Sequence, residues 1–152
     1  MNYLDIQIAT EAKDCPSEQQ FQQWVDAVLS DQSQDSEIVI RLVDDAESSA
    51  LNQQYRHKQG PTNILSFPFE APDGMQMDLL GDLVICAPLI EKEAAEQNKL
   101  TENHWAHITI HGVLHLIGYD HIEEAEAEEM EALEIKLLSM LNIANPYQEE
   151  SM

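Results

Sequence analysis

Three histidines stand at spacings of four and six residues in the stretch HGVLHLIGYDH, His111 to His121. On a helix His111 and His115 are one turn apart, so both rings leave the same face with their roots about 5–6 Å apart and can reach one ion. Gly118 turns the chain back, which lets His121 supply a third nitrogen. Burying three unpaired imidazoles has no other evident compensation, so the pattern predicts a metal centre. Three neutral imidazoles without a thiolate leave the ion's charge uncompensated and a fourth position open to water. That is the arrangement of a catalytic centre, with Zn²⁺, one per chain, as the expected cofactor. Cys86 in the fourth position would instead make a closed, structural site. His104 and His107 continue the same stripe toward the N-terminus. His104 lies about 16 Å of helix rise from His115, too far to share its ion, and both residues are expected to pack or to support the ligands.

Zinc peptidases of the H-E-x-x-H type carry their general base directly after the first ligand, where this chain has Gly112. A glycine inside a helix costs about 1 kcal/mol against alanine, so Gly112 is read as clearance for a substrate or for a closely packed strand. Peptide hydrolysis is disfavoured, although the spacing H-x-x-x-H-x-x-G-x-x-H is otherwise that of metzincins. A peptidase or amidase would need its base from elsewhere, Asp82 or Asp120. A phosphodiester makes different demands: a metal to engage a phosphoryl oxygen and activate water, and a fixed guanidinium for the charge that builds on the other oxygens. Arg56, His57 and Lys58 form the one basic run in the chain, just before the Gly60-Pro61 turn. Arg56 is thus the candidate for transition-state stabilisation, and Arg56 with Lys58 for substrate binding.

The elements that must position these groups follow from periodicity. Tyr3 to Ala9 alternates as a strand, and Pro16, Ser17 and Gln20 open a helix with a capping box. Phe21, Trp24, Val25 and Val28 fall on one apolar stripe. Glu37 to Val43 is β-branched and strand-like, and Asp44 or Asp45 caps a helix carrying Leu51 and Tyr55. NILSFPFE is a strand in which Pro68 favours an edge or a strand end, APDG is a turn, and Gly81 to Ala87 is a further strand. Pro88 suits the first turn of a helix reaching to about Lys99. Thr101 starts another whose Trp105, Ile108, Ile110, Val113, Leu114, Leu116 and Ile117 cover nearly its whole circumference, and such a helix belongs in a core. Gly118 ends it. Glu123 and Glu124 begin the last helix, with Met130, Leu133, Leu137 and Leu141 buried and EEAEAEEMEALE as a solvated acidic face. The order β-α-β-α-β-β-α-α-α predicts an α+β fold over residues 1–152 as a single domain: a small mixed sheet of about four strands with about five helices, the three-histidine helix central.

The totals constrain partners. A chain of 152 residues is about one domain long. Cys15 and Cys86 are far apart in no C-x-x-C spacing and read as small core residues. MNYLDIQIAT lacks a basic lead and a long apolar run, and no apolar run elsewhere is long enough to span a bilayer, so a cytoplasmic protein without a membrane partner is expected. Acidic side chains number 29 against 7 basic ones, for a formal charge of −22. Such a body repels polyanions at long range, but fields are screened beyond roughly 8 Å at physiological salt, so a local cationic site still operates.

HGVLHLIGYDH, together with LNQQYRHKQGPTNILSFPFE and LLGDLVICAP, closely resembles the YbeY family of bacterial metal-dependent endoribonucleases, which act in ribosomal RNA maturation and ribosome quality control. The resemblance runs in matching order from about Leu51 to Tyr147; the first fifty residues fit by length and element order alone. It implies zinc on His111, His115 and His121, a functional Arg56, and cleavage of single-stranded RNA. It also implies processing near the 3′ end of 16S rRNA, the small-subunit ribosomal RNA, with the small subunit and its proteins as partners. Asp120 fits the motif as well, either hydrogen-bonding a ligand or capping the last helix. The competing expectations are the peptidase or amidase above, and a ribosome assembly factor in which the metal only staples the fold.

Overall fold

Strand and helix alternate through the first half of the chain: β1 (Asn2–Ala9), α1 (Glu18–Val28), β2 (Ser36–Val43) and α2 (Asp45–Arg56). Two strands follow, β3 (Ile64–Pro68) and β4 (Leu79–Cys86), then three helices, α3 (Ala87–Glu96), α4 (Thr101–Leu116) and α5 (Glu124–Met140). The computed structural model describes residues 2–30, 35–69, 79–119 and 123–146. Element types and order are those expected, and the described residues form a mixed four-stranded sheet with five helices, an α+β fold. The expected APDG turn lies outside the described residues.

The sheet runs β1-β2-β4-β3, with β1, β2 and β4 parallel and β3 antiparallel to β4. Pro68, which has no N–H for a ladder, ends the edge strand β3, as its chemistry requires. Alternation along β2 and β4 divides the apolar side chains between two faces. Ile38, Ile40, Leu42, Leu83 and Ile85 join the main core with α1 and α4. Val43, Val84, Cys86 and Leu65 form a smaller cluster with Leu51 of α2 on the other face. Both cysteines are free; Cys86 is buried, as expected, and Cys15 half-buried.

Local signals account for most helix ends. Ser17 caps α1 in a full capping box with Gln20. Asp44 holds the N-cap position of α2, but its carboxylate accepts from the Thr10 hydroxyl and the Glu11 N–H instead of from its own helix. Pro88 sits in the first turn of α3. At the end of α4 Gly118 takes φ +107°, with Gly118 N–H donating to His115 O and Tyr119 N–H to Leu114 O. These two bonds are a Schellman motif, which satisfies the last carbonyls and turns the chain off the helix axis.

Helix α4 is central, packed against α1, α3, α5, β3 and β4. Phe21 makes edge-to-face contacts with Trp24 at 5.5 Å and with Trp105 at 6.0 Å between centroids, which joins α1 to α4. Gly112 settles a question the sequence left open. A Cβ there would come within 2.5 Å of Ile64 Cδ1 and 2.9 Å of Leu83 Cδ2, so the glycine admits the sheet, not a substrate. That close approach brings β3 alongside the histidine stripe. Among the described residues, no helix is long and apolar enough to cross a membrane.

Candidate functional site

The histidines of α4 form a ladder. His104, His107, His111 and His115 follow one another along the helix with ring centroids 6.2, 6.4 and 4.6 Å apart. Spacings of three and four residues on a 3.6-residue helix produce this line without any special backbone. Two carboxylates from neighbouring helices meet it. Glu93 of α3 accepts from His104 Nε2 at 3.0 Å, and Asn63, just before β3, donates to the same oxygen at 3.2 Å. Glu134 of α5 accepts from His111 Nδ1 and lies 3.6 Å from His107 Nε2.

Glu134 is fully buried, which corrects the reading of EEAEAEEMEALE as a wholly solvated face. Its neighbours Glu123, Glu124, Glu126, Glu128, Glu129 and Glu131 are exposed as expected. A buried carboxylate persists only with hydrogen-bonding partners, and here the partners are imidazoles. Sequence reasoning missed it because a glutamate in an acidic helix gives no local signal. The available clue was its place in the apolar register, i+4 from Met130. Burial holds the His107 imidazole below its ordinary proton affinity, against the upward pull of Glu134.

With its Nδ1–H donated to Glu134, a neutral His111 ring carries its lone pair on Nε2. That atom faces His115 Nε2 at 3.0 Å. Two nitrogens bonded to one tetrahedral ion at about 2.0–2.1 Å stand roughly 3.3 Å apart, so a small opening of the pair suits a shared ion. A ring nitrogen whose partner N–H is held by a carboxylate is the usual condition of a histidine that binds metal. Among the described residues, no group of three His, Cys, Asp or Glu side chains is arranged to hold an ion. His121 and Asp120, the other expected contributors, lie outside those residues.

His111 and His115 open into a groove of about 880 Å³ that runs along β3 from Thr62 to Pro68 and is bounded by Tyr55, Arg56, Gly118 and Tyr119. Arg56 thus shares a groove with the histidine pair although 55 residues separate it from His111 in the chain. It is the last residue of α2, exposed, and among the described residues its guanidinium has no hydrogen-bond or ion-pair partner. The next residue, His57, takes the left-handed conformation at φ +57° and ends the helix. The loop beyond is tied back to α2: Ser48 Oγ donates to Thr62 O at 2.8 Å, Thr62 N–H donates to Ser48 Oγ at 3.0 Å, and Asn52 Nδ2 donates to Gly60 O at 2.9 Å. Ser48 and Asn52, both buried, therefore hold the end of α2 against the start of β3. Lys58 is exposed and is not among the groove's described lining.

The other expected contributors fall elsewhere. Cys86 is on the opposite sheet face, where its Sγ lies 3.2 Å from Asp45 Oδ1 and burial pushes the thiol up to about 11. Asp82 is exposed and shares the strand parity of Val84 and Cys86, so it projects away from α4. Tyr55, carried by the same helix as Leu51, is 55% exposed.

Residues 5–142 match the family model described as Endoribonuclease YbeY, a match that takes in most of the first fifty residues as well as the motif segments. The fold is similar to the solution structure of TM1509 from Thermotoga maritima, a structural-genomics target. That protein is 25% identical, with a TM-score of 0.58, over 94% of this chain and 99% of that one. The histidine pair, the groove and the arginine beside it are therefore those of a chain that belongs to the YbeY endoribonuclease family.

Proposed function

We propose that this protein is a metal-dependent endoribonuclease that cuts single-stranded RNA in ribosomal RNA maturation, near the 3′ end of 16S rRNA, and in ribosome quality control. The observation that carries the proposal is the guanidinium of Arg56, unpartnered among the described residues, in the same groove as the paired His111 and His115. His111, His115 and His121 would hold the ion, zinc, one per chain. When bound, zinc supplies Lewis-acid polarisation of a phosphoryl group and of water near neutral pH.

The chain's own residues do the rest. Glu134 keeps the His111 proton on Nδ1 and so directs Nε2 into the groove. Arg56 presents a planar fork of N–H donors to the non-bridging phosphate oxygens, where negative charge grows as the phosphodiester is attacked. Lys58, two residues beyond Arg56, adds a second positive charge for substrate binding. Asp120 hydrogen-bonds a ligand or caps the last helix. Strand β3 walls one side of the groove. The nucleophile is water or the RNA's own 2′-hydroxyl, and the product ends distinguish them: a 5′-phosphate for the first, a 2′,3′-cyclic phosphate for the second. The protein works in the cytoplasm, and its acidic outer surface docks on basic proteins of the small ribosomal subunit, which bring RNA to a body that does not attract it.

The test uses purified protein and a labelled single-stranded RNA, with and without chelator, comparing His111→Ala and Arg56→Ala while circular dichroism follows folding. Loss of cleavage by at least about 100-fold in both variants, with the fold retained, supports the reading. Cleavage unchanged in Arg56→Ala overturns the role of the guanidinium. Unfolding on metal removal, with ribosomal RNA maturation intact in the Arg56 variant, would identify an assembly factor with a structural ion.

A further inference from the structure

Tyr55 is a large aromatic side chain left more than half exposed at the end of an apolar helix stripe. The last turn of α2, from Gln53 onward, is exposed throughout, and there Tyr55 lines the groove beside Arg56. It is not loose. Its ring stands against Phe67 of β3, centroids 5.0 Å apart and planes inclined by 68°. A contact of this kind limits the rotamers of the free ring, so less freedom is lost when a ligand settles on it.

The charge balance makes this aromatic informative. With 29 acidic and 7 basic side chains, the molecule as a whole repels RNA. Among the described residues lining the groove, Arg56 is the one permanently charged cation. Neutralising one or two phosphates yields little affinity through counterion release. Stacking of a base on an aromatic face does not depend on net charge and contributes about 1–3 kcal/mol per base.

Resting on the nuclease reading above, we propose that Tyr55 is the base-stacking residue of the groove: the base beside the phosphodiester engaged by Arg56 stacks on the Tyr55 ring, buttressed by Phe67. The ligand class is an unpaired nucleotide within a single strand. Two consequences follow from the chemistry. Every base has a π-face, so recognition at this position tolerates sequence. A duplex keeps its bases stacked on one another and has no free face to offer, so the same ring selects for single strands.

The experiment measures fluorescence anisotropy of a labelled single-stranded 2′-O-methyl octaribonucleotide on protein purified with its metal. Tyr55→Ala is expected to weaken binding roughly 5- to 100-fold. Tyr55→Leu keeps apolar bulk against Phe67 without an aromatic face and should lose as much, while Tyr55→Phe and Tyr55→Trp stay within about twofold of the native protein. Tyr3→Ala, an exposed tyrosine on the far edge strand, should bind unchanged. Probes with a single abasic site at successive positions locate the stacked base. At one position the abasic loss and the Tyr55→Ala loss should not add. Native-like binding by folded Tyr55→Leu, or losses that add at every position, overturns the stacking role while leaving the nuclease reading intact. A native protein that neither binds nor cuts single strands overturns both.

Discussion

Glu134 shows how much a single buried residue decides here. It has no solvent, and its oxygens meet His111 Nδ1 and approach His107. A carboxylate in that position fixes the tautomer of His111 and the orientation of its ring. Glu134→Gln retains size and one acceptor but removes the charge. Its metal affinity, measured by competition with a chromophoric chelator, should fall roughly 10- to 100-fold. Glu134→Gln binding metal as tightly as the native protein would show that the carboxylate does not act through His111. Gly112 makes the complementary point: it follows the first histidine where a peptidase carries its base, and its missing side chain is used by Ile64 and Leu83. Chemistry at this helix therefore has to draw on groups from other elements.

Among the elements, the tie between α3, α4 and β3 bears on how the groove floor is held. Glu93 is partly buried, which alone would raise its proton affinity, but the hydrogen bonds from His104 and Asn63 more than offset this and hold it below its ordinary value. A carboxylate whose folded pKa is depressed stabilises the fold above its unfolded pKa and loses that contribution as pH falls through the folded value. Glu93→Gln should accordingly unfold at lower urea than the native protein at pH 7. The gap should narrow as pH drops below about 4.3, the ordinary glutamate value. An equal gap at pH 7 and pH 3 would mean that the carboxylate's charge contributes nothing. Gly81 constrains the neighbouring strand more severely: at φ +149° a Cβ would stand 2.3 Å from Phe67 O, a backbone atom that cannot turn aside. Position 81 therefore admits no side chain while β3 lies where the groove needs it.

At the scale of the molecule, a net charge of −22 surrounds a groove with few cations. For single strands log K falls with log salt at about 0.7 per phosphate neutralised. Engagement by Arg56 and Lys58 alone therefore predicts a slope no steeper than about −1.4. Anisotropy titrations between 50 and 300 mM salt, roughly the range where such slopes are read, check this. A slope several times steeper would require cationic contacts beyond these two. Most of the fold was legible beforehand because it rests on periodicity: strand alternation, the capping box at Ser17, the all-round apolar α4 and the glycine that ends it are local patterns. The candidate pair His111 and His115 was legible for the same reason, one helical turn being a fixed distance. Glu134 was misread, and the exposure of Tyr55 left unread, because burial is set by partners from other elements. Tyr55 continues an apolar stripe beyond the point where the sheet covers it, while Glu134 looks like its solvated neighbours until α5 lies against α4. Sequence alone determined which side chains repeat along each element, since backbone geometry is the same in every helix and strand. Only the tertiary structure decided that Arg56 lines the same groove as the histidines, that Cys86 and Asp82 do not, and that a carboxylate waits behind His111, because those placements depend on how elements pack across many residues of chain.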